Sequence, residues 1–382
     1  MASKQWSFFY FFYKCLIMKV LVACDKFKGS MTAAEACEAI ANGLLEGYPG
    51  LEIEQAPIAD GGEGFTEAVR DSLGGEWVRC MSLDALGRAC ESRYLIVGDT
   101  AVMEMAESCG LEMIEKDLRD PEFSNTAGVG IMMRDAVLTH KVERIVLGIG
   151  GSATNDAGVG MAVELGAKFY DAEGQLLMPV PAELERAAKA ELSGLMQMPE
   201  ILVACDVRNP LLGENGATAI YGPQKGIADI PKMEKILETI MRVSGGESVA
   251  ILDGAGASGG LGFGLMHFAG GSLVNGFEWL AAELKLGQRI ADADVVITGE
   301  GSLDAQTAEG KGPAGVALMA KAAGKTVVAM AGRIEDGAEA MFDRHYAITN
   351  LGLPLDECIA RGSELLQNLA KEEGVKLGGS VE

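Results

Sequence analysis

Lys19-Val20-Leu21-Val22-Ala23-Cys24, running into Asp25-Lys26-Phe27-Lys28-Gly29-Ser30, is the stretch on which the fold turns. A short, almost continuous apolar run closed by a charged, glycine-bearing turn reads as a strand buried on both faces. A helical pattern follows over Ala33 to Leu45 and a second strand over Leu51 to Ile58, so the chain opens as a βαβ unit. At the far end, Ala293 to Thr298 (ADVVIT), Thr326 to Ala331 (TVVAMA) and Tyr346 to Thr349 are short β runs between Ala-rich helical segments, with a final helix near Leu355 to Lys371. Joined, the two ends give a doubly wound, flavodoxin-like parallel sheet of order 2-1-3-4-5. Its switch point, where such sheets bind ligands, falls between the first strand and the strand at Val295.

Between these ends lies a long middle, from about Gly75 to Leu286, with strands near Trp77, Tyr94, Val102, Ile145 and Ile201 and several glycine-rich loops. It reads as a second α/β domain inserted into the first. The expected division is therefore 18–75 with 286–382 as a discontinuous flavodoxin-like domain and 76–285 as the insertion. The opening MASKQWSFFYFFYKCLI, residues 1–17, is aromatic, too short to span a bilayer and without a small-residue cleavage site, so it reads as a leader or mis-set start outside the fold.

The 382 residues suit two domains, and 48% hydrophobic against 23% charged is an ordinary globular balance. Thirty-two Lys and Arg against 55 Asp and Glu leave a formal charge of −23, a field that repels nucleic-acid phosphates and anionic lipid, so neither is an expected partner. Eight Cys without a CxxC pair point to a reducing cytoplasm. Only His140, His267 and His345 are present, which argues against a His-rich zinc site or a Ser-His-Asp triad.

Glycine is over-represented, at 51 residues, and its loops are where chemistry is sought. In Arg144–Gly166 an apolar strand runs into Gly148-Ile149-Gly150-Gly151-Ser152-Ala153-Thr154-Asn155-Asp156 and then into a helical pattern, the arrangement in which glycines admit an anion to backbone N–H groups at a helix start. Asp60-Gly61-Gly62-Glu63-Gly64 and Gly299-Glu300-Gly301-Ser302-Leu303-Asp304 pair carboxylates with glycine, as loops that hold Mg²⁺ beside phosphates do. The pentamer LVACD ends in Asp25 and again in Asp206, each at a strand's carboxyl end. Gly254-Ala255-Gly256-Ala257-Ser258-Gly259 fits the GxGxxG dinucleotide fingerprint, with glycines following it where a helix is expected. A Walker A loop is missing, since Met319 stands where the first glycine ahead of Gly324-Lys325-Thr326 belongs.

DKFKGSMTAAEA (25–36), IADGGEGFTEA (58–68), GIGGSATNDAGVGM (148–161), ACDVRNPLLGENGATAIYGPQKG (204–226), GAGASGGLG (254–262) and ITGEGSLDAQTAEGKGPAGVA (297–317) together resemble, in order, the bacterial glycerate kinase family. The resemblance spans Met18 to about Lys371. Lys26 departs from it, standing where many members have Ser, and Ala157 and Ser302 occupy positions often filled by Gly and Arg. It implies ATP-dependent phosphorylation of D-glycerate with Mg²⁺, with 2-phosphoglycerate favoured over 3-phosphoglycerate, and an active site in the interdomain cleft.

Charge logic assigns the residues, because phosphoryl transfer is mostly positioning and neutralisation. Asp25 is the expected base for the hydroxyl and Lys28 the catalytic cation, with Lys26 beside it. Lys26, Asp60, Gly61, Gly62, Glu63, Gly150, Gly151, Ser152, Thr154 and Asn155 are expected to bind substrate or phosphate, and Asp156, Asp206, Glu300 and Asp304 to hold metal. The competing readings are an NAD(P)-dependent oxidoreductase, resting on the GxGxxG match, and a non-catalytic small-anion binding protein.

Overall fold

The computed structural model describes residues 17–304 and 312–379, so the expected leader lies, but for Ile17, outside the described residues. In chain order the strands of the two main sheets are β1 (Lys19–Cys24), β2 (Glu52–Gln55), β3 (Glu76–Leu83), β4 (Ala89–Val97), β5 (Thr100–Glu104), β6 (Arg144–Gly148), β7 (Glu200–Ala204), β8 (Ser272–Val274), β9 (Val295–Gly299), β10 (Thr326–Ala331) and β11 (Arg344–Ala347). The chain divides into two compact units, one made of the residues up to Asp60 with those from Phe277 onward, the other of Gly61–Gly276.

In the first unit all five strands are parallel, in the order β2-β1-β9-β10-β11. Renumbered within the unit, this is the 2-1-3-4-5 order expected from the sequence. Strand β1 is an interior strand of this sheet, and its apolar residues are buried on both faces. Val20 and Val22 join Ile297, Val328 and Met330 in a core closed by helix α1 (Ala33–Gly47) and a long C-terminal helix, Gly362–Gly379. The other face is covered by the helices Leu286–Asp292 and Gly312–Ala322. Where a single helix was expected over Leu355 to Lys371, the structure has two, Leu355–Ala360 and Gly362–Gly379, separated at Arg361.

The second unit carries a six-stranded sheet of order β8-β7-β6-β5-β4-β3. Its first four strands are parallel, and β4 and β3 are added antiparallel as a hairpin. Strand β8 and the small antiparallel pair Lys168–Tyr170 with Lys189–Glu191 are too short for an apolar period to show in the sequence. The helix Phe65–Leu73 lies in this unit rather than in the first, because Glu104 at the end of β5 accepts from the N–H groups of Gly64 (3.1 Å) and Thr66 (2.7 Å). The units therefore divide at Asp60–Gly61 and at Gly276–Phe277 instead of at 75–76 and 285–286. No helix among the described residues is long and apolar enough to cross a membrane.

Helix α1 and the C-terminal helix meet backbone to backbone. A Cβ on Gly43 would overlap the carbonyl oxygen of Gln367 and lie 2.8 Å from the Ala370 Cβ, so a larger residue must push the helices apart. Gly43→Val should destabilise the protein by about 1–3 kcal/mol, the usual cost of overpacking. Gly287→Val, in the helix Leu286–Asp292 where an added Cβ would find only the Met319 Cε at 3.7 Å and the backbone is likewise helical, is the control for the conformational cost of replacing a helical glycine and should cost less. Thermal or urea unfolding checks the pair, and equal losses would refute the packing argument.

Candidate functional site

In the first unit the chemistry gathers at the carboxyl ends of β1 and β9. The parallel register sets Cys24 beside Gly299, and the Asp25 N–H donates to the Gly299 carbonyl at 2.9 Å, so the turns after the two strands start side by side. Asp25 is buried, its Oδ1 accepting from the Lys26 N–H at 2.6 Å. Burial, followed by the charges of Asp60 and Glu300, pushes its carboxyl up to about 8, against the pull of the Lys26 N–H and ammonium. Lys28 is exposed in the same turn and lines a cavity of about 70 Å³ with Phe27, Gly301, Gly332, Arg333 and Thr349. Glu300, Asp304 and Asp60 are half-buried.

In the second unit the glycine loops come together over the ends of β5, β6 and β7. A Cβ on Gly150 would stand 3.0 Å from the Gly62 Cα, and one on Gly61 would stand 2.9 Å from the Ala204 Cβ, so the Gly61-Gly62-Glu63 loop lies directly against the loop after β6 and the end of β7. Glu63 is exposed and Asp206 half-buried. Gly151 has φ +74°, a left-handed conformation that favours glycine. Among the described residues, the N–H groups of Gly150, Gly151 and Ser152 donate to no protein acceptor. Three successive free N–H groups about a left-handed residue are the makings of an anion nest.

The helix start does not serve the anion as expected. Asp156, fully buried, accepts from the Thr126 N–H (2.9 Å) and hydroxyl (2.8 Å), the Gly158 N–H (3.1 Å) and the Gly160 N–H (2.9 Å). Burial raises its pKa and these four donors lower it. Its carboxylate is thus committed to donors, two of them at the start of the helix Val159–Glu164, and it is not placed as a metal ligand. Thr154 and Asn155 are likewise fully buried: the Thr154 N–H donates to the Ser152 Oγ at 3.2 Å and the Asn155 Nδ2 to the Thr218 Oγ1 at 3.0 Å, while the Asn155 Oδ1 has no hydrogen-bond partner among the described residues.

The GxGxxG stretch is a buttress. A short helix, Glu247–Ala250, precedes it in place of a strand. Ser258, Gly259 and Gly260 all have positive φ, the Ser258 hydroxyl donates to the Ile149 carbonyl, and a Cβ on Gly259 would overlap the Thr154 carbonyl. Those glycines are spent on close packing against the loop after β6 and do not form a dinucleotide turn. Sequence reasoning passed over Glu104 and held Lys225, in the GPQKG loop, only as an alternative cation to Lys28; the burial of both is visible only in three dimensions. Among the described residues no group of three or more His, Cys, Asp or Glu side chains is arranged to hold a metal ion by itself.

Comparison with known proteins agrees with the resemblance read from the motifs. The model of the glycerate kinase family matches residues 20–375. A glycerate kinase of Halalkalibacterium halodurans is 40% identical over 370 residues, covering 93% of this chain and 97% of its own. A glycerate 2-kinase of Escherichia coli is 38% identical over 362 residues, covering 89% and 93%. The crystal structure described as glycerate kinase 2 from Salmonella typhimurium LT2 superposes with a TM-score of 0.84 at 36% identity, over 95% of this chain and 99% of that one.

Gly151 offers the direct probe of the nest. An added Cβ there would find only the Ala106 Cβ, at 3.6 Å, so Gly151→Val strains the backbone by about 1–3 kcal/mol without a clash. Calorimetry should show at least about tenfold weaker binding of ATP or of D-glycerate in a folded variant. Unchanged affinity for both would rule the nest out.

Proposed function

The chain belongs to the glycerate kinase family, and we propose that it transfers the γ-phosphoryl group of ATP to the 2-hydroxyl of D-glycerate, giving ADP and 2-phosphoglycerate. The observation that carries this reading is the Asp25 carboxyl, buried at a strand end and pushed up to about 8. A general base works best with a pKa near the working pH. Ionised, Asp25 takes the proton of the attacking hydroxyl. Lys28 offsets charge that builds on the transferring phosphoryl group, and the free N–H groups of Gly150, Gly151 and Ser152 receive an oxyanion of the nucleotide or of the glycerate carboxylate.

Mg²⁺ fits the first unit in the way this ion is usually held, by one or two carboxylates together with substrate phosphates. The charges of Asp60 and Glu300 already reach Asp25, so a divalent cation would relieve repulsion among acids in a chain of net charge −23. Glu300 and Asp60 are the pair that would hold it. When bound, it supplies charge neutralisation at the phosphates. Asp206 and Asp304 are further oxygen donors at strand ends, and Asp156 drops out because its carboxylate is already satisfied.

A coupled assay of ADP release with D-glycerate tests the substrate, and the conversion of the product by enolase without a mutase tests the position. No ADP release overturns the first, and a product that needs the mutase overturns the second. The same assay reads the pH dependence. Asp25 serves as base only when ionised, so kcat/KM should rise with pH and level off above about 8. Asp25→Asn should lose about 10²–10⁴ in rate together with that limb. The stability effect runs the other way: a raised carboxyl pKa favours the fold while the group is protonated, and this contribution is lost as pH rises through about 8. Asp25→Asn should therefore melt no lower than wild type at pH 8.

For Lys28, removal of a charge that acts in the transition state should lower kcat by about 10²–10³. Lys28→Arg should recover only part of this, because a planar guanidinium does not replace a compact ammonium. Steady-state kinetics decide the matter. A raised KM with kcat kept would mark Lys28 as a ground-state contact, and no change would mark it as a surface lysine.

A further inference from the structure

Lys225 ends the turn Pro223–Lys225 in the second unit and is only 2% exposed. Its ammonium donates to the Thr154 carbonyl at 2.6 Å and to the Ser152 Oγ at 3.0 Å, so it sits beneath the loop in which Gly150 is half-buried and Gly151 exposed. The neighbouring helix Ala217–Tyr221 holds the same loop from Thr218, through Asn155. The charged group acting on Lys225 is Asp156, whose carboxylate is occupied by four other donors. The ammonium is therefore buried, partly hydrogen-bonded and without a carboxylate bonded to it.

A buried charge of this kind is costly, and an apolar residue of similar volume would fill the space at less cost. A bound oxyanion in the nest above it would supply the missing counter-charge. We propose that Lys225 is a positioning residue of the anion site: from beneath, it holds Ser152 and Thr154 in the conformation that leaves the N–H groups of Gly150, Gly151 and Ser152 free, and it lends the site positive charge. This rests on the reading of that loop as an anion site. Lys225 does not touch the ligand. It acts through the loop and through its field, in a chain whose overall charge repels both substrates.

The protonation of Lys225 supports the same reading. Burial pushes its pKa down to about 7, with Asp156 pulling it up, so the lysine is charged at the acid side of neutrality and a bound anion favours the charged form. Anion affinity in the wild type should fall as pH rises from about 6.5 to about 8.5. Asp25 and Glu104, pushed up to about 8 and about 7, titrate in the same range, so the share due to Lys225 is the part of the pH dependence that a neutral replacement removes.

The test compares wild type, Lys225→Met, Lys225→Gln and Gly151→Val by calorimetric titration with D-glycerate and, separately, ATP, together with melting temperature. The expected result for Lys225→Met is an unchanged or raised melting temperature, affinity for one of the two ligands lower by about tenfold or more, and a flatter pH dependence of that affinity. The ligand affected identifies which oxyanion the nest takes. Unchanged affinities in Lys225→Met beside weakened binding in Gly151→Val overturn the role of Lys225 and leave the nest intact. Unchanged affinities in all variants remove the nest and the proposal with it. A weakened affinity that keeps the full wild-type pH dependence rejects the contribution of charge. If both lysine variants melt lower or fail to fold, Lys225 is a structural residue and the proposal falls.

Discussion

The carboxylate of Asp156 draws the Thr126 backbone and hydroxyl and the Gly158 and Gly160 N–H groups around one fully buried point. A buried charge left without donors would cost several kcal/mol, so the chain on both sides of Asp156 has little choice of path. The Thr126 hydroxyl, held by this contact, in turn accepts the Met161 N–H at 3.0 Å, which ties the start of the helix Val159–Glu164 to the segment leading into the helix Ala127–Leu138. With the far end of the loop anchored there, its near end, Gly150 to Ser152, keeps backbone donors that no other part of the protein uses among the described residues. Asp156 thus satisfies donors at the start of the helix, and the free N–H groups lie earlier along the chain.

Two ionisable groups are shifted in opposite directions by the same cause. Burial disfavours charge on either kind of group, so it raises Asp25 to about 8 and lowers Lys225 to about 7. An acid and a base thereby both come close to neutrality in an enzyme whose substrates are anions and whose own charge is −23. Stability is given up at these positions, as is common where a site needs a group that the fold alone would not choose. The surrounding packing absorbs the loss: parallel strands with apolar residues on both faces in the first unit, and in the second a large core in which Met103, Ile145, Leu147, Val203 and Phe263 are almost wholly buried.

How far the sequence could be read depended on the range of the interaction involved. The path from Lys19 to Cys24, the helix after it, the strands at Val295 and Thr326 and the parallel order follow from local apolar periods and from the rule that crossovers wind one way, so the first sheet and its order were legible, although the last strand, expected at Tyr346 to Thr349, lies two residues earlier, at Arg344–Ala347. The six long motif blocks carried the family on their own, because their residue order is far more specific than any single glycine loop. Strand β8, at three residues, shows no period, and the helix after Asp60 joined the second unit through Glu104, a partner 38 residues away from Thr66.

The roles of individual loop residues needed the tertiary structure. Asp156 and Glu300 look alike in sequence, each an acid in a glycine-rich loop after a strand. Only folding shows that one is enclosed by four donors while the other stays half-buried with its charge acting on Asp25. The GxGxxG match ends the same way, since its glycines are required by the Thr154 backbone lying against them, a neighbour about a hundred residues earlier in the chain. Lys225 carries no local signal of burial at all. The sequence by itself determined the strands, their order and the family, because these rest on patterns a few residues long and on the identity of whole motifs. Which carboxylates are satisfied, which N–H groups remain free and which lysine is buried were decided by the tertiary structure, because hydrogen bonding and desolvation depend on neighbours that the chain brings together only when it folds.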